Sequence, residues 1–109
     1  MSVEFDSYAF VVLQRQPDAA EISDEEADEI QEMHLAHLAA MKAAGKLLVA
    51  GPFGDRPDES WRGLRIYGTS VEEARELAER DPAVQRGRFK PVVMTWFVQK
   101  GAIAFPVAN

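Results

Sequence analysis

Two short segments, Ser23-Asp-Glu-Glu26 and Ser70-Val-Glu-Glu73, constrain this chain more than any other feature. Each is a Ser-x-x-Glu capping box, in which the serine hydroxyl accepts a hydrogen bond from a first-turn N–H and the glutamate reaches back. Each therefore marks the start of a helix. Each is also preceded and followed by a segment with strand character, so the chain reads as strand, capped helix, strand, twice over.

The first strand is Tyr8 to Gln14, rich in aromatic and β-branched residues and broken by Pro17 and Asp18. The helix capped by Ser23 should run to about Ala44, with Gly45 as its C-terminal stop. Its acidic run, Asp24 to Glu29, lies at the positive end of the helix dipole, which accounts for those charges without a metal or partner. Lys46 to Ala50 is the second strand, closed by Gly51-Pro52. Phe53 to Arg62, with two prolines and Gly54, is a loop. Gly63 to Tyr67 is the third strand. The helix capped by Ser70 should run through Arg80 and end at Asp81-Pro82, because a residue before proline disfavours helical geometry. Val84 to Arg88 reads as a polar turn, Phe89 to Gln99 as the last strand, and residues 101–109 as an apolar tail.

The order β-α-β-β-α-β is that of the split-βαβ, ferredoxin-like unit, an α+β fold with an antiparallel sheet and two helices on one face. A chain of 109 residues makes one such domain. The other sheet face should then alternate with polar residues if it were wet. It does not: Ala9 to Leu13 is apolar throughout, and the last strand places Val92, Val93, Met94, Trp96, Phe97 and Val98 on both faces. An exposed apolar face of that size is an aggregation hazard. The same face of a second copy is the simplest cover, giving a two-fold homodimer. The tail around Ile103 to Val107 is expected to pack on the partner or cover an edge.

A net charge of −6 argues against a nucleic-acid surface, which needs clustered Lys and Arg. No apolar stretch approaches the ~20 residues of a membrane helix, and the N-terminus has no signal-peptide pattern. The absence of cysteine removes thiolate metal sites and cysteine nucleophiles and fits a reducing cytoplasm. No nucleotide fingerprint is present, so no cofactor is expected; Gly51-Pro52-Phe53-Gly54 is not a phosphate loop. It can instead shape the rim of a substrate pocket.

That leaves the histidines. Ile30, His34, His37 and Met41 follow helical spacing, so both histidines lean toward the buried side. His34 lies eleven residues after Ser23, and Asp81 eleven after Ser70. If the central strands are parallel and the helices run the same way, both sit roughly 16 Å along their helices. Packed helix axes about 8–10 Å apart would then let the two side chains meet. An aspartate held against a histidine fixes its tautomer, which prepares a general base. On spacing alone the structural readings, a core histidine and a turn-forming aspartate, are the favoured ones. His34-x-x-His37 is short of a third metal ligand, so no metal site is expected. His37 is a rim candidate for substrate contact. Among Arg62, Arg65, Arg86, Arg88 and Lys90, one can anchor a substrate carboxylate, and Arg65 is the candidate taken.

Several of these pieces together, His34-Leu-Ala-His-Leu, Ala44-Gly-Lys-Leu-Leu-Val-Ala-Gly-Pro52, Ser70-Val-Glu-Glu-Ala-Arg through Asp81-Pro82, and a last strand with Trp96, resemble the YCII-related family over residues 8 to 98. The resemblance implies a dimeric α/β-barrel arrangement with stacked sheets, and a His–Asp pair as active site, carried over to His34 and Asp81. It gives His37 no role. Lyase-like chemistry, including chloride elimination from a chlorinated aromatic, is associated with one branch of that family. The long Phe53–Arg62 loop and the tail depart from the shorter pattern. The expected function is therefore a small cofactor-independent enzyme of lyase or isomerase type acting on a small, cyclic or aromatic substrate. The alternative is a non-catalytic ligand-binding dimer.

Overall fold

A computed structural model of the protein describes residues 3–106, so Val107 at the end of the tail lies outside the described residues. Four strands and three helices follow in the order β1 (Phe5–Arg15), α1 (Asp24–Ala43), β2 (Leu47–Pro52), β3 (Trp61–Tyr67), α2 (Val71–Glu79), α3 (Pro82–Gln85) and β4 (Phe89–Gln99). The sheet order is β2-β3-β1-β4, with every neighbouring pair antiparallel. This is the ferredoxin-like α+β arrangement expected from the capping boxes.

Both boxes form. Ser23 Oγ accepts from Glu26 N, and Ser70 Oγ from Glu73 N, each at 3.1 Å. Helix α1 stops at Ala44, and Gly45 follows at φ 75°, a left-handed value suited to glycine. Along β1 the odd residues Ala9, Val11 and Leu13 are buried against the helices with Met41, Leu47, Tyr67, Ala74, Leu77 and Ala78. The even residues Tyr8, Phe10 and Val12 pair with Trp96, Met94 and Val92 on the opposite, outer face.

Three expectations need correction. First, β1 and β3 are antiparallel, not parallel. The β2–β3 hairpin reverses the chain, so the second strand–helix unit starts against β1. Helices α1 and α2 consequently run in opposite directions, and equal distance from the caps does not set equal height. Second, Val84 to Arg88 is not simply a polar turn. Pro82–Gln85 forms a short helix with Asp81 as its N-cap and Pro82 in its first turn. Proline is favoured there because its fixed φ suits the first turn and its missing N–H is not needed. Third, Gly51-Pro52 is the end of β2 rather than a turn after it, a place an edge strand tolerates proline.

Strands β1 and β4 reach beyond the two shorter strands, and the molecule is elongated, 56 × 33 × 25 Å. At the start of the tail, Gly101 N donates to Asp6 Oδ2 at 3.0 Å, and the Phe105 ring meets Tyr8 edge-on at 5.4 Å.

Candidate functional site

His34 projects from the middle of α1, on the stripe whose apolar members Ile30 and Met41 are buried. Its Nδ1 lies 2.7 Å from Oδ2 of Asp81. One turn further along α1, His37 Nε2 donates to the Leu77 carbonyl of α2 at 3.0 Å. The partners step forward along one helix and back along the other, as opposed helices require. The two histidines engage different partners, and among the described residues no group of three or more His, Cys, Asp or Glu is placed to hold a metal. His37 acts as a tie between helices and is not part of the cavity that His34 lines.

Asp81 is fully buried. Its Oδ1 accepts from Ala83 N at 2.8 Å, the N-cap bond of α3. Its Oδ2 accepts from His34 and from Arg65 Nη2. Local capping thus fixes the side chain, and the two other bonds aim it. Burial alone would raise this carboxyl. The His34 and Arg65 hydrogen bonds, the guanidinium charge and the Ala83 N–H outweigh burial and hold it at about 2. Asp81 is therefore ionised at neutral pH and accepts only. It follows that neutral His34 carries its proton on Nδ1 and presents Nε2 as the unprotonated nitrogen. The 3.4 Å approach of Arg65 Nη2 to Nδ1 is then a contact between two donors that share one acceptor.

Arg65 is on β3 opposite Val11, facing the helices. Its side chain is 2% exposed. It was expected to anchor a substrate carboxylate; its guanidinium instead lies against Asp81, with Tyr67 Oη 3.5 Å from Nη1. Burial, opposed by Arg65 and assisted by Asp81, raises the Tyr67 phenol, so it stays neutral.

A cavity of about 370 Å³ opens beside this group. His34, Leu35, Leu38 and Gln31 form its α1 wall; Gly51 and Pro52 line it from β2, Arg62, Gly63 and Arg65 from β3, and Phe89 from β4. The Phe89 ring lies 6.5 Å from the His34 ring. Gly63 keeps β2 close, since a Cβ there would come within 2.8 Å of Gly51 O. Of the sequence candidates, His34, Asp81 and Arg65 are brought into one bonded group, and Gly51 and Pro52 into the cavity wall. A more apolar cavity of about 520 Å³ lies on the outer face around Phe10, Trp61 and Met94, away from His34. Sequence reasoning missed Arg65 as the partner of Asp81. Alternation puts Gly63, Arg65 and Tyr67 on one face of β3, but with Leu64 and Ile66 on the other the sequence does not mark that face as the inner one.

These features define a ferredoxin-like protein in which a buried aspartate–arginine pair holds a histidine at a cavity wall. The chain belongs to the YCII-related family, whose domain matches residues 8–97. No curated protein matches the sequence. Among solved structures it is similar to 5-chloro-2-hydroxyhydroquinone dehydrochlorinase from Burkholderia phenoliruptrix AC1100, determined in complex with 2,5-dihydroxybenzoquinone. The identity is 24% over 82% of this chain and 92% of that one, with a TM-score of 0.59. At that identity the likeness concerns the fold. No helix among the described residues is long and apolar enough to cross a membrane.

Proposed function

We propose that this protein is a cofactor-independent acid–base enzyme of lyase or isomerase type, acting in the cytoplasm on a small cyclic or aromatic substrate. The observation that carries this reading is the 2.7 Å contact between His34 Nδ1 and an ionised, fully buried Asp81. His34 Nε2 removes a proton from an acidic C–H or O–H of the substrate. The released electron pair expels a leaving group in an elimination, or returns to carbon elsewhere in an isomerisation. The imidazolium formed is stabilised by the Asp81 carboxylate, which Arg65 keeps ionised. Leu35, Leu38 and Phe89 suit a ring, and the fold relative that binds a dihydroxyquinone points to the same size of molecule.

The test is deuterium incorporation from D₂O, or chloride release, on a panel of cyclic enols and chlorinated hydroxyhydroquinones followed by NMR. Wild type should accelerate at least one substrate, and His34→Gln should lose roughly 10²–10⁴-fold of that rate while keeping its fold. Equal rates in the variant, or no acceleration by wild type on any substrate, would leave a binding module as the better reading.

We also propose a homodimer through the outer sheet face. Met94 is 41% exposed there, and the cavity around Phe10, Val12, Val92 and Trp61 is almost wholly apolar. Sedimentation equilibrium should show a dimer at micromolar concentration; a stable monomer would overturn this assembly.

A further inference from the structure

We propose that Arg62 is the substrate-anchoring residue of the His34 cavity, and that the substrate carries an oxyanion, carboxylate or phenolate, on its ring. This rests on the reading of that cavity as the active site. Three observations converge on Arg62.

The first is its placement. Between β1 and β3 the register runs Leu13↔Gly63 and then Gln14↔Trp61, so Arg62 is the extra residue of a bulge. A bulge re-aims the side chain it carries, and Arg62 lines the same cavity as His34. It also lines an open groove at the sheet end with Arg15, Glu59 and Lys90, so it stands where that groove meets the cavity. The bulge itself is held by backbone, since Phe53 N donates to the Arg62 carbonyl at 3.0 Å.

The second is its unmet bonding. Arg62 Nε is buried without a hydrogen-bond partner, and Arg62 takes part in no ion pair among the described residues. A buried donor on a charged group is costly to leave unpaired. A ligand that brings an acceptor removes that cost on binding.

The third is charge. Arg65 is neutralised by Asp81, and among the described residues no carboxylate lines the cavity. Arg62 therefore brings the cavity a positive charge that no lining carboxylate offsets, in a chain of net charge −6. A planar guanidinium suits a planar oxyanion, with the apolar walls left for the ring. The geometry also fits the chemistry: an anion at Arg62 offsets the positive charge that His34 gains on taking a proton.

Matched probes test this by isothermal titration and NMR: benzoate against benzamide, and 4-nitrophenolate against 4-nitroanisole. At least one anion should bind wild type better than its neutral twin. Arg62→Gln should weaken that anion by roughly 10-fold or more and leave the neutral probe unchanged, with Arg62→Lys between. His34→Gln should keep the anion preference, which separates this inference from the acid–base reading. Should Arg62→Gln fail to fold, the Arg62 Nε–Hε resonance of wild type must still shift in step with anion saturation. Absence of an anion preference in wild type, an undiminished preference in a folded Arg62→Gln, or a resonance that does not move would overturn the proposal.

Discussion

Asp81 concentrates more of this protein's chemistry than any other residue. One oxygen caps α3 through Ala83, and the other receives both His34 and Arg65. A buried carboxylate with those partners is held ionised, at about 2 against an ordinary 3.8. Because the folded value lies below the unfolded one, the stabilisation is complete above about pH 4 and is lost as pH falls toward 2. Its size is about 2 kcal/mol. Urea denaturation across that window should show the loss in wild type. Asp81→Asn should forfeit at least that much at neutral pH, since Arg65 is left buried without its counter-ion, and its stability should no longer fall through the same window. A variant with wild-type acid sensitivity would contradict this assignment. Helical spacing put His34 on the buried stripe, but its pairing with Asp81 was legible through the resemblance to the YCII-related family. The equal-depth route to it was mistaken, and Asp81 was visible as a turn former rather than as the cap that fixes its rotamer. Arg65 was legible as a cation but not as the partner of Asp81, which requires knowing which face of β3 it occupies.

At the scale of elements, the capping boxes predicted both long helices to within a residue or two. Relative direction is another matter. A hairpin of either hand of reading joins the same two strands, and only the pairing of β1 with β3 reveals that the helices oppose. The bulge at Arg62 was hidden for a similar reason: register is a property of two strands, and no single segment encodes it. The apolar outer face, by contrast, was plain from the missing alternation in β1 and β4. Met94 belongs to that face at a position already partly exposed in one copy. Met94→Asp should therefore leave the protomer folded, by circular dichroism, while weakening the proposed dimer by roughly 100-fold, because a charge would be buried between the sheets without a partner. A variant that dimerises as tightly as wild type would place the interface elsewhere.

Across the whole molecule, two faces of one sheet do different work. The inner face carries the helices, the His34–Asp81–Arg65 group and the cavity beside it; the outer face is apolar and, in our reading, meets its copy. The order of elements and the family were readable from sequence because caps, stops and turns are local. The cavity was not, because its wall combines α1, β2, β3 and β4 residues far apart in the chain. In the proposed mechanism Asp81 holds His34 in the tautomer that frees Nε2 for proton transfer. Long-range ¹H–¹⁵N NMR of the His34 ring reads this directly. The neutral ring should carry its proton on Nδ1 with Nε2 bare, and Asp81→Asn should disturb this preference; a neutral ring protonated on Nε2 in wild type would contradict the proposed role of Asp81.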